Sequence, residues 1–158
     1  MKRKKFVISL FLATIVAFAF SAVSLAGGQS TSWSAKLTVA QEIPKQAVTN
    51  AAATGSFSGT LSGDSLAFTL TFAKLTGPPT MAHFHLGAKG VSGPVLIWLC
   101  GVGSPDSQLV AAHPCKSPVT GTVTLTPALQ KDFTKGLLYV NVHTAKNPNG
   151  EIRGQLAG

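Results

Sequence analysis

Phe57-Ser58-Gly59-Thr60-Leu61-Ser62-Gly63-Asp64-Ser65-Leu66-Ala67-Phe68-Thr69-Leu70-Thr71-Phe72 alternates apolar or glycine positions with hydroxyl and small ones, twice over. Every second side chain of a β-strand shares a face, so Phe57, Gly59 and Leu61 form one apolar set and Leu66, Phe68, Leu70 and Phe72 another. Ser62-Gly63-Asp64 between them is turn chemistry, and the two runs read as an antiparallel hairpin, each strand half-buried.

The same period of two recurs outward from this hairpin. Trp33, Ala35, Leu37 and Val39 share it on the N-terminal side. Further runs lie at Met81–Leu86, Val95–Leu99, Val119–Leu125, Leu137–His143 and Glu151–Leu156, separated by Gly77-Pro78-Pro79 and Asn147-Pro148-Asn149-Gly150. Only Thr126 to Gly136 reads as a helix, with Thr126 as N-cap, Pro127 in the first turn and Gly136 as the stop. About eight short strands and one short helix predict an all-β domain, an antiparallel β-sandwich or a flattened Greek-key barrel.

The first residues carry an export pattern. Lys2, Arg3, Lys4 and Lys5 form a basic cluster, Phe6 to Phe20 is almost unbroken apolar sequence, and Ser24-Leu25-Ala26 offers small residues for a signal peptidase. A membrane anchor over Phe6 to Ala26 is the competing reading, since the stretch approaches bilayer length. The small-residue exit into Gly27-Gly28-Gln29-Ser30, and the lack of a cysteine after the apolar run to accept a lipid, favour cleavage. The expected organisation is a signal peptide at 1–26 and one exported domain at 27–158, with no membrane span after cleavage and a destination in a periplasm, on the cell surface or in the medium.

Of the 13 basic and five acidic residues, four basic ones fall in the leader, so the formal charge of +8 drops to +4 in the remainder. The nine remaining cations, Lys36 to Arg153, form no block or stripe, which argues against nucleic acid as a partner. An extracellular protein or a cell-envelope surface is the kind of partner that remains.

Four histidines stand out in this low-charge chain. His83-Phe84-His85 places two imidazoles on one strand face, with Phe84 turned to the core. In Leu138-Tyr139-Val140-Asn141-Val142-His143 the apolar set is Leu138, Val140 and Val142, so Tyr139, Asn141 and His143 occupy the opposite face. If the two strands are neighbours, His83, His85 and His143 converge on a surface that solvent reaches, and three imidazoles suit copper or zinc. The competing role is structural, in which these rings donate to backbone carbonyls.

Ala82-His83-Phe84-His85-Leu86-Gly87-Ala88, Gly90-Val91-Ser92-Gly93-Pro94-Val95 and the closing Tyr139 to Thr144 and Asn147 to Leu156 resemble the CHRD domain, a module named for its repeats in chordin. The resemblance reaches back through Glu42-Ile43-Pro44 and covers nearly the whole exported part. It implies a secreted β-rich binding domain without a defined catalytic mechanism, and it draws attention to His83, His85 and His143 together with Asn141, Glu151 and Arg153. A more distant likeness is to copper-zinc superoxide dismutase, in which a His-x-His strand and a separate strand-borne histidine hold copper. That likeness implies a copper-dependent redox enzyme as the alternative function, with His113 as a fourth candidate ligand and Arg153 as an attractor of small anions. The chain departs from the dismutase pattern in having too few histidines for a bridged pair of metals.

Cys100 and Cys115 are the only cysteines, and in an exported chain they are expected to form one disulfide that also anchors His113. A thiolate metal site with His113 is the alternative. Glu151 and Arg153, two apart on one strand, read as a partly exposed ion pair with each other or with a neighbouring strand. No paired carboxylates, no Gly-x-Ser-x-Gly elbow and no phosphate-binding glycine loop occur, so hydrolase and nucleotide chemistry are unsupported.

Overall fold

In the computed structural model, which describes residues 30–47, 50–101 and 114–158, eight strands follow the expected runs: β1 Thr31–Thr38, β2 Thr54–Ser62, β3 Ser65–Ala73, β4 Pro79–Leu86, β5 Val95–Gly101, β6 Val119–Thr124, β7 Leu138–Thr144 and β8 Asn147–Gln155. A single turn of 3-10 helix, Val39–Gln41, follows β1, and the helix α1 spans Pro127–Thr134. The expected signal peptide at 1–26 and His113 lie outside the described residues. No helix among the described residues is long and apolar enough to cross a membrane.

The β2–β3 hairpin forms as its alternation requires. Ser62 pairs with Ser65 around Gly63-Asp64, and Gly63 takes a left-handed φ of 64°. Gly55, Phe57, Gly59 and Leu61 on β2 and Leu66, Phe68 and Leu70 on β3 all turn inward. At the helix, the Thr126 hydroxyl accepts from the Leu129 amide and Pro127 opens the first turn, where its missing N–H costs nothing.

All strand pairs are antiparallel, in the order β5-β4-β7-β8-β1-β2-β3-β6. The connections from β3 to β4 and from β6 to β7 cross over, so that β8 lies beside β1 of the β1–β2–β3 set and β7 beside β4 of the β4–β5 pair, a Greek-key-like return. The edge strands β5 and β6 approach one another, so the sheet nearly closes into a barrel. Its interior is apolar: Phe84 packs edge-on against Phe57 at 5.2 Å and against Phe133 of α1 at 5.3 Å, and Phe133 in turn meets Trp33 at 5.1 Å.

Cys100 of β5 and Cys115, four residues ahead of β6, form a disulfide. The bond therefore ties together the two strands that the hydrogen-bond ladder leaves unpaired. Closing a loop of 15 residues restricts the unfolded chain. Replacing both cysteines by alanine is expected to lower stability by about 3 kcal/mol, read as a fall of roughly 10 °C in the thermal midpoint.

One expected boundary is corrected. Asn147-Pro148-Asn149-Gly150 is not the turn before the last strand but its beginning: Thr144 pairs with Asn147, and the two-residue turn is Ala145-Lys146. The Asn147 amide is buried and donates to Glu151, and the Pro148 carbonyl accepts from His143, so these turn-forming residues are spent on tertiary contacts.

Candidate metal centre

Strand pairing lays out the outer face of the barrel in rows. β4 lies directly against β7, with His83 opposite Asn141, His85 opposite Tyr139 and Met81 opposite His143, and Asn141 lies opposite Arg153 of β8. Because Ala82 and Phe84 fill the core, His83 and His85 point outward, as do Asn141 and His143 between Val140 and Val142. One ligand atom from each of His83, His85 and His143 lies within 4.8 Å of the others. The three histidines that the period of two places on matching faces do meet.

The expectation of a solvent-facing cluster is overturned. His83 is 2% exposed, His85 7% and His143 5%. Loops from three directions roof the outer face. Glu42 follows the 3-10 turn and is itself buried, the segment from Gly87 to Gly93 folds over His85 and Arg153, and Thr76 reaches Glu151 from the β3–β4 connection. Trp98 of β5 packs edge-on against His83 at 4.2 Å.

Hydrogen bonds assign the protons on two of the rings. The Nδ1 atoms of His85 and His143 each lie 2.9 Å from a backbone carbonyl, of Gly93 and Pro148 respectively. A carbonyl only accepts, so both Nδ1 atoms carry hydrogen and both neutral rings present the Nε2 lone pair. The His85 Nε2 is buried without a partner. The His143 Nε2 faces His83 Nδ1 at 3.2 Å and the Asn141 Oδ1, a second acceptor, at 2.9 Å. Lone pairs thus converge on a space in which His83 alone has a ring N–H to offer. Backbone carbonyls fixing the far nitrogen are how ligating histidines are held and made more basic.

Burial also keeps the rings neutral. Loss of hydration, followed by the neighbouring His143 and His85, lowers the His83 pKa to about 3. Burial lowers His143 to about 4 against the opposing Pro148 bond, and lowers His85 despite its bond to Gly93. Glu42 shifts the other way: burial raises it to about 7, opposed by the Ile43 amide and by the charge of Arg153. Its carboxylate lies against Gly150, where φ is +117° and a Cβ would come within 2.6 Å of Oε2. Only glycine fits there.

Glu151 and Arg153 are not the partly exposed ion pair expected of them. Both are buried, at 0% and 1%, and they have separate partners. Glu151 accepts from the Thr76 amide and hydroxyl, the Thr144 hydroxyl and the Asn147 amide group. Arg153 lies with its guanidinium carbon 3.4 Å from the centre of the Tyr139 ring and donates to the Ala88 carbonyl and Gln155. Tyr139 also stacks on His85 at 4.8 Å. Glu42, next to Asn141, and Trp98, next to His83, carry no local signal of these places, apart from the scarcity of acidic residues that makes a buried Glu42 notable.

No curated protein and no solved structure matches the chain. The CHRD domain family matches residues 33–156, from the first inward-facing tryptophan of β1 to the residue after β8, and so takes in every strand that builds the histidine cluster. The chain belongs to the CHRD domain family.

Proposed function

We propose that residues 1–26 direct export and that 27–158 form a secreted CHRD domain that binds and retains a copper ion, with zinc as its competitor, through His83, His85 and His143. The observation that carries this reading is the buried His85 Nε2, a nitrogen with no hydrogen-bond partner, on one of three imidazoles that each offer a ring nitrogen within 4.8 Å of the others. Three nitrogens around one ion at the usual 2.0–2.1 Å stand about 3.4–3.6 Å apart. From separations of up to 4.8 Å, an inward shift of about 0.7 Å by each ring completes the set.

Imidazole donors suit copper and zinc alike, and divalent copper leads the general order of affinity. The Cys100–Cys115 disulfide supports an oxidising compartment. Enclosure favours holding over turnover, because a dismutase-type copper needs an open position that its substrate reaches, and these histidines have almost no contact with solvent.

The test is metal stoichiometry and affinity of the full chain with copper and zinc in turn, beside His83→Ala, His85→Ala and His143→Ala. Each substitution is expected to lower affinity by about 100-fold or more, beyond what loss of an outer partner costs. Uptake by all three variants equal to that of the parent would sink the reading.

A further inference from the structure

We infer that Met81 is a further donor to this centre, a thioether that fits it to copper in the cuprous state. The inference rests on the three-histidine reading and adds a ligand and an oxidation state to it. Met81, His83 and His85 alternate on β4 with the inward-facing Ala82 and Phe84, and pairing with β7 runs without interruption from Met81 to Leu86. Met81 therefore stands on the histidine face, directly opposite His143. Opposed residues on one face of an antiparallel pair have Cβ atoms about 4.5–5.5 Å apart. An unbranched thioether spans that gap.

The neighbour on the other side leaves this row free. Met81 pairs across β5 with Gly101, which has no side chain to compete for the space. None could be added: at the Gly101 φ of +111° a Cβ would lie 2.6 Å from the Thr80 carbonyl and 2.8 Å from the Met81 Cβ. Met81 is only half-buried, so it sits at the rim of an otherwise enclosed set.

Chemistry supplies the oxidation state. Three neutral imidazoles accept zinc and either form of copper, whereas a thioether is a soft donor that favours cuprous copper and adds little for zinc. The competing role for Met81 is packing, since methionine fills irregular gaps well. The two roles separate because packing is indifferent to the metal.

The test is an anaerobic titration of the full chain with cuprous copper in ascorbate against bathocuproine disulfonate, with zinc titrated in parallel, for the parent and Met81→Leu. Loss of cuprous affinity on the order of 10–100-fold, with zinc affinity unchanged within about threefold, is the expected result. The retained zinc site also certifies the fold of the variant. Met1 and Met81 are the only methionines. In selenomethionine-labelled protein a selenium shell in the copper absorption spectrum, absent from Met81→Leu, is expected as well. Equal losses for both metals would assign Met81 to packing and overturn the inference. No loss for either would overturn it while leaving the three-histidine centre standing, and failure of the parent to bind any metal would remove both.

Discussion

Glu151→Ala is expected to destabilise the fold by about 4 kcal/mol, at the upper end of what single substitutions cost. Loss of hydration by itself raises the pKa of a buried carboxyl, yet Glu151 is held below the usual carboxylate value, because the bonds from Thr76, Thr144 and Asn147 outweigh burial. Three of these bonds are 2.7 Å and one is 3.0 Å. Alanine leaves the Thr76 amide facing an empty acceptor position, an orphan that costs about 1–3 kcal/mol, and strips the Asn147 amide group of its charged acceptor, leaving it only the Thr76 and Thr144 hydroxyls. The hydroxyls of Thr76 and Thr144 lose less because they rotate to face each other, at 3.3 Å in the present structure. Glu151→Gln keeps one acceptor oxygen and is expected to lose about half as much. Urea unfolding of the three proteins reads these differences as shifts in midpoint. A surface ion pair at this position, by contrast, would cost at most about 1 kcal/mol, so a midpoint for Glu151→Ala indistinguishable from the parent would restore the exposed-pair reading.

The Glu151 network shows where legibility in the sequence stops. Strand direction is local, and Leu138, Val140 and Val142 against Tyr139, Asn141 and His143 declare it without tertiary information. The hairpin at Gly63-Asp64 and the helix opened by Thr126-Pro127 are equally local. What covers a strand face is not local. Glu42, Gly93 and Thr76 lie in connections without periodicity, and only the nearly closed barrel brings them over the outer face that carries the histidines, Asn141 and Glu151, which is why a polar face that alternation marks as outward is nonetheless buried. The convergence of His83, His85 and His143 required one further fact, that β4 neighbours β7 across a crossover, and pairing between non-consecutive strands has no signature in either strand. Asn147-Pro148-Asn149-Gly150 misleads for a related reason. Its composition is that of a turn, but its polar groups are consumed by Glu151 and His143, and the chain reverses two residues earlier.

Acidification is expected to destabilise the metal-free protein from about pH 6.5 downward, steeply by pH 5. His83 and His143 have folded pKa values of about 3 and 4, below the 6.5 of the unfolded chain. A depressed histidine means that the unfolded state binds the proton first, so stability falls as pH falls between the two values. Near pH 5 the unfolded chain carries protons on both rings that the folded chain refuses, and His85, also lowered by burial, adds up to one more. Glu42 opposes them. With a folded value of about 7 against 4.5, it holds a proton in the fold that the unfolded chain has largely released at pH 5, a contribution present at low pH and lost as pH rises through 7. The balance is an uptake of about one to two protons on unfolding, a slope of about 1.4–2.7 kcal/mol per pH unit. Denaturant midpoints at pH 7, 6 and 5 in the presence of chelator measure it. His83→Phe removes one of the refused protons and should flatten the slope by about 1.4 kcal/mol per pH unit. A midpoint that stays level or rises on going from pH 7 to pH 5 would mean that the imidazoles accept protons in the fold, which requires them to be hydrated and contradicts their enclosure beneath Glu42, Trp98 and the Gly87–Gly93 segment.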